Sequence, residues 1–175
     1  MITLITGGIK SGKSAHALKL ANQATSVAPQ KGAFIATADP GDLSMKNKIA
    51  AHQKEREGSA LVTIEEKINL AEMIEGLDSS YEVMIIDCLT LWMANLMYHF
   101  NDKKDRDDKI HFFLSVLEKL TIPCFIITNE VGSGVIPENK LARQYQDELG
   151  SLNHKVAQIS RAVILMVSGI PVKIK

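Results

Sequence analysis

A chain of 175 residues, 46% of them hydrophobic, is long enough to bury one sizeable core and too short for two ordinary domains. Lys and Arg number 20, as do Asp and Glu, so no global field points to a nucleic-acid or membrane partner, and recognition has to come from local sites. Two cysteines, Cys88 and Cys124, sit in or beside apolar runs without C-x-x-C spacing; this argues against a disulfide framework or a zinc site and for reduced, buried thiols.

No charged leader precedes an apolar core and nowhere do eighteen apolar residues run together, so the expectation is a soluble, cytoplasmic protein without membrane insertion. Apolar runs alternate with segments of helical period, which predicts βαβ units and a mainly parallel sheet in one domain spanning residues 1–175. Strands are expected at 2–6, 33–37, 61–64, 83–87, 123–128 and 163–168.

The first of these strands leads into Gly7-Gly8-Ile9-Lys10-Ser11-Gly12-Lys13-Ser14, which completes G-x-x-x-x-G-K-S ahead of a helix running to about residue 23. Glycines let the backbone turn tightly and bring successive N–H groups to phosphate oxygens, and the helix adds its positive end. Lys13 is placed to reach the β- and γ-phosphates, the Ser14 hydroxyl to ligate Mg²⁺, and Lys10 adds a second cation. A glycine-rich turn with an exposed lysine is the bland alternative.

After the second strand, residues 38–42 read as a turn, and Asp42 or Ser44 can cap a helix to about residue 57. On that helix Lys48, His52 and Arg56 follow i, i+4, i+8 and share a face. The flanking cations would hold phosphate charge and favour a neutral, nucleophilic imidazole. A third helix carries Ile68, Ala71, Ile74 and Leu77 inward, and a fourth spans 89–99. Residues 101–108, seven of eight charged, read as a solvated loop. Beyond them come an amphipathic helix with Ile110, Phe113, Leu117 and Leu120, the loop 129–137, and a long helix whose buried stripe is Leu141, Tyr145, Leu149, Leu152, Val156 and Ile159. Trp92, Phe112 and Phe113 read as core or subunit contacts.

Val83-Met-Ile-Ile-Asp87 closes an apolar strand on an acid, the form of a Walker B element whose carboxylate supports the Mg²⁺ shell; an aspartate capping the next helix is the alternative. Thr37 and Thr128 end two further strands, so polar groups converge on the carboxyl rim where open α/β sheets bind ligands. Glu130 also lies on that rim, with a role in positioning substrate and a merely structural role equally open.

These residues resemble the bifunctional adenosylcobinamide kinase and adenosylcobinamide-phosphate guanylyltransferase family of cobalamin biosynthesis. The resemblance rests on Thr6 through Ser14, Ile35-Ala-Thr37, Ile49-Ala-Ala-His52 with Arg56, Thr63-Ile-Glu65, and Asp87-Cys-Leu-Thr-Leu-Trp92 with Asn95. It continues through Thr128 to Pro137, Leu141-Ala-Arg143, Asn153, and Val167-Ser-Gly-Ile-Pro171. It implies a three-layer, RecA-like P-loop fold and a two-step transferase. ATP or GTP would phosphorylate the aminopropanol arm of adenosylcobinamide, and GMP from GTP would then pass through a guanylylated His52 to the corrinoid phosphate. The resemblance further implies nucleotide contacts from the phosphate loop, from Ala36, Thr37 and Ala38, from Gln53, Lys54, Glu55 and Arg56, and from Glu65 and Asp87. It also implies a homotrimer.

The chain departs from the family pattern at Lys10, where arginine is usual, at Leu61 or Val62, where tryptophan is usual, and at Arg161, where an acid is usual. Lys10 keeps the charge but not a bidentate fork. Two other functions fit the phosphate loop alone: another small-molecule kinase in which His52 is incidental, and a slow nucleotide switch that binds a partner protein.

Overall fold

The computed structural model describes residues 1–25, 31–38, 61–77 and 80–175. Lys48, His52, Gln53, Lys54, Glu55 and Arg56, with the helix expected to carry them, lie outside the described residues. The described elements, in chain order, begin with β1 Ile2–Gly7, α1 Lys13–Ala24, β2 Gly32–Ala36, β3 Leu61–Glu65, α2 Leu70–Glu75 and β4 Val83–Asp87. They continue with α3 Leu89–His99, α4 Lys103–Lys119, β5 Cys124–Ile127, α5 Lys140–Ile159, β6 Ala162–Val167 and β7 Ile170–Lys173.

The seven strands form one sheet in the order β3-β2-β4-β5-β1-β6-β7, parallel except for the last pair. Its central strands are apolar on both faces, as strands covered on both sides must be. Successive side chains serve opposite layers. Leu4, Ile35, Ile86 and Ile126 pack with α2 to α5, whereas Ile5, Phe34, Ile85 and Ile127 pack with Ala17 and Ala21 of α1. Trp92 and Phe113 belong to the first layer, ring centroids 4.7 Å apart, with the Trp92 indole N–H donating to the Ile68 carbonyl at 2.9 Å. Phe112, by contrast, is exposed at 36%.

All six expected strands are present, with no end shifted by more than one residue, and α3 has the expected bounds. Three features differ. The charged run is not a loop: Asp102 accepts the Lys104 N–H at 2.9 Å and caps α4, so the helix begins inside the run. Arg106, from the same run, is buried and grips Glu148 of α5 with two hydrogen bonds of 2.8 and 2.6 Å. On α5 itself Leu149, Leu152 and Val156 are buried, but Leu141, the second residue of the helix, is 63% exposed and leaves the stripe.

The third difference is at the C-terminal end. Ser168 does not continue a strand: Ser168 and Gly169 have φ of 50° and 85° and form a two-residue turn into β7. Paired positive φ values match the right-handed twist of the flanking strands. Sequence patterning does not reveal β7, because it is short, exposed and contains Pro171, which an edge strand alone tolerates.

Candidate nucleotide-binding site

The turn after β1 depends on backbone freedom at two glycines. Gly7 has φ 147°, and a Cβ there would stand 2.5 Å from the Met166 carbonyl; Gly12, at φ 91°, lies against Gly169. Lys10 also takes a left-handed φ of 56°. The loop is braced from both sides, by the Gly169 N–H on the Ser11 carbonyl at 3.0 Å and by the Glu130 N–H on the Gly7 carbonyl at 3.2 Å.

Lys13 opens α1 and folds back over the loop, its ammonium donating to the carbonyls of Gly7 at 3.1 Å and Gly8 at 2.6 Å. Burial lowers its pKa from the ordinary lysine value, while Cys88 and Asp87 act in the opposite direction. The Ser14 hydroxyl lies 3.2 Å from Asp87 Oδ2, so the two motifs read from sequence meet across the sheet edge. Among the described residues the buried Ser11 hydroxyl has no hydrogen-bond partner. An orphaned donor buried in a glycine-rich loop at the start of a helix suits an anion. A serine hydroxyl beside a carboxylate is a hard-oxygen donor pair, which fits Mg²⁺.

Strand register sets the rest of the rim. Ala36, at the end of β2, is opposite Glu65 on one side and Asp87 on the other. Thr37 follows, fully buried, and its hydroxyl both accepts the Cys88 N–H at 2.9 Å and donates to the Cys88 carbonyl at 2.8 Å. Its own N–H donates to the Asp87 carbonyl at 2.9 Å, which fixes the acid-bearing strand end to β2. Thr37 is therefore a clamp between strand ends. Ala38 is beside it, half-buried.

Glu65 is exposed on β3, four strands from β1. At about 4.8 Å per strand it stands roughly 19 Å from the phosphate loop, too far to meet a phosphate seated there. Ile9, in the loop, is 84% exposed and offers its backbone rather than a packed side chain.

Several supporting residues carried no assigned role in the sequence. The Asn95 amide of α3 donates to the Thr37 and Lys67 carbonyls at 2.8 and 3.1 Å, tying the ends of β2 and β3 together. Thr128 donates to Asn153 at 2.8 Å, Asn153 donates to the Asn129 carbonyl at 3.2 Å, and the Asn129 N–H reaches Thr90 at 2.8 Å. Asparagine within an otherwise good helix was the available signal, since it is a weak helix former that needs another reason to be there.

Comparison with known proteins matches residues 3–174 to the family described as cobinamide kinase / cobinamide phosphate guanyltransferase. The bifunctional adenosylcobalamin biosynthesis protein CobU of Escherichia coli (strain K12) is 33% identical over 187 aligned residues that span all of both chains. The bifunctional adenosylcobalamin biosynthesis protein CobP of Pseudomonas aeruginosa is 34% identical over 175, covering 100% of this chain and 98% of its own. Among solved structures, the flagellar accessory protein FlaH from Methanocaldococcus jannaschii superposes with a TM-score of 0.53 at 16% identity, over 99% of this chain and 77% of its own. The KaiC-like protein PH0186 from Pyrococcus horikoshii OT3 gives 0.52 at 12%, over 94% and 69%. These two likenesses concern the fold, a RecA-like P-loop architecture, as expected from the sequence.

Proposed function

The chain belongs to the cobinamide kinase / cobinamide phosphate guanyltransferase family, a family of transferases, and from that premise we propose that one nucleotide site, in one domain, serves two successive transfers. The observation that carries the reading is the 3.2 Å approach of Ser14 to Asp87, which brings the two sequence motifs together beside Lys13. In the first transfer, ATP or GTP supplies its γ-phosphoryl group to the hydroxyl of adenosylcobinamide. Backbone amides of residues 7–14 hold the phosphates, and Lys13 leaves the Gly7 and Gly8 carbonyls to meet the β- and γ-oxygens. Such reactions depend on placement and charge neutralisation more than on covalent help.

Ser14 and Asp87 would hold Mg²⁺, which when bound neutralises charge on the β- and γ-phosphates. In the second transfer a ring nitrogen of His52 attacks the α-phosphorus of GTP, the bond to pyrophosphate breaks, and GMP is left on the imidazole. An oxygen of adenosylcobinamide phosphate then attacks the same phosphorus and frees the ring. Arg56 and Lys10 balance phosphate charge, Gln53 to Glu55 and residues 36–38 line the nucleotide, and Glu65 binds its end away from the phosphates. We further propose a homotrimer, as the family resemblance implies, and a cytoplasmic enzyme without a nucleic-acid partner, in keeping with 20 Lys plus Arg against 20 Asp plus Glu; among the described residues no helix is long and apolar enough to cross a membrane.

Mass spectrometry of the protein after treatment with magnesium and GTP should find one GMP on the peptide containing His52, absent in His52→Ala. Transfer of γ-label alone to a small acceptor would leave another kinase in its place. Slow hydrolysis with no acceptor would leave a switch.

A further inference from the structure

The phosphorylation step releases a proton from the acceptor hydroxyl, and none of the roles assigned above takes it. We propose that Glu130 is the proton-accepting carboxylate of the kinase step; this rests on the kinase reading above.

Position singles it out. β5 lies between β1 and β4, and its ladder with β1 continues past its last residue: the Thr128 N–H donates to the Ile5 carbonyl at 3.0 Å and the Glu130 N–H to the Gly7 carbonyl at 3.2 Å. The Lys13 ammonium donates to the same Gly7 oxygen at 3.1 Å. Two donors on one oxygen cannot be farther apart than those lengths combined, so Glu130 starts from the edge of the γ-phosphate seat.

The other two rim acids are worse placed. Glu65 is four strands from β1, roughly 19 Å, whereas a general base has to come within about 3 Å of its proton. Asp87 is two strands away and faces the Ser14 hydroxyl. Glu130 is exposed, no cation pairs with it among the described residues, and its carboxylate takes only a long hydrogen bond from the Gly132 N–H at 3.4 Å. Its mount is nonetheless rigid: Thr128 is fully buried, and Thr90, Asn153 and Thr128 fix the backbone on either side of Asn129.

The step balances within the named groups. The acceptor oxygen bonds to the γ-phosphorus as its proton passes to Glu130. The bond from that phosphorus to the β–γ bridging oxygen breaks, and the nucleoside diphosphate leaves with the electron pair.

The test compares wild type with Glu130→Gln, which keeps shape and removes basicity, and with Glu130→Asp. Steady-state phosphorylation of cobinamide is measured across pH, alongside GMP transfer to cobinamide that is already phosphorylated. The expected result for Glu130→Gln is a kcat lower by about 10²-fold or more with KM little changed, loss of the acidic limb of the pH profile, and partial rescue in Glu130→Asp. Persisting GMP transfer shows that the nucleotide site has survived. Equal kcat and an unchanged pH profile in Glu130→Gln would overturn the proposal while leaving the two-transfer reading intact. A fall confined to KM would assign Glu130 to acceptor binding and overturn it too. Failure of the wild type to phosphorylate cobinamide would instead remove the reading beneath it.

Discussion

Lys13 is held by two carbonyls of the loop it serves, so the nucleotide has to compete for its ammonium. Its contribution comes only when phosphate replaces those carbonyls, and a positioned charge of this kind is worth about 10²–10³ in rate. Lys13→Ala should therefore lower both phosphorylation and self-guanylylation by that order, while circular dichroism stays native. The cysteines behave in the opposite way, as inert groups. Burial pushes the Cys88 thiol up to about 11 and the Cys124 thiol up to about 12, the neighbouring Asp87 adding to the former. At pH 8 only roughly one Cys88 in a thousand is thiolate, so alkylation of the native protein should be slow at both positions and become rapid in denaturant, as peptide mass spectrometry would record. Single residues were the most legible level of the chain, because the chemistry of G-x-x-x-x-G-K-S and of an acid closing an apolar strand depends on local spacing. Thr90, Asn95 and Asn153 were not legible as supports, since what they touch is 24 to 58 residues away.

Between elements, a buried ion pair joins α4 to α5. Arg106 and Glu148 have side chains only 2% and 8% exposed, and Arg106 also donates to the Phe100 and Asn101 carbonyls at 2.6 and 3.0 Å. Burial opposes ionisation of Glu148, but hydrogen bonds from Arg106 and from Gln144 outweigh it and hold the carboxyl below the ordinary range. A carboxyl depressed in the folded state adds stability above its unfolded value, near 4.3, and loses it as pH falls through the folded value. Removing one partner of such a pair costs about 3–5 kcal/mol, because the other charge stays buried alone. Glu148→Leu should thus unfold in urea at a clearly lower midpoint at pH 7, and the gap from wild type should narrow below pH 4. This contact was hidden in the sequence by its own composition: seven charges in eight residues signal solvent, and only the fold shows that one of them turns inward.

Across the whole molecule, the sheet order was out of reach of pattern reasoning even though the strands were not. Apolar runs at 2–6, 83–87 and 123–128 announce buried parallel strands, yet nothing local says that β5 slips between β1 and β4. That insertion is what brings Glu130 to the phosphate loop and leaves Glu65 four strands from β1. The hairpin of β6 and β7 has a similar long-range effect. Gly169 has φ 85° with open space around its missing side chain, so Gly169→Val meets backbone strain rather than a clash, about 1–2 kcal/mol. It should lower the melting temperature by a few degrees and weaken nucleotide binding measurably, although residue 169 is remote in sequence from the loop it supports. Because the turn at 168–169 backs Ser11 and Gly12, a ribosome has to reach residue 169 before the phosphate loop acquires that support. Nascent fragments lacking residues 162–173 should therefore be poor at capturing a nucleotide, so a nucleotide cannot act as a folding template for them.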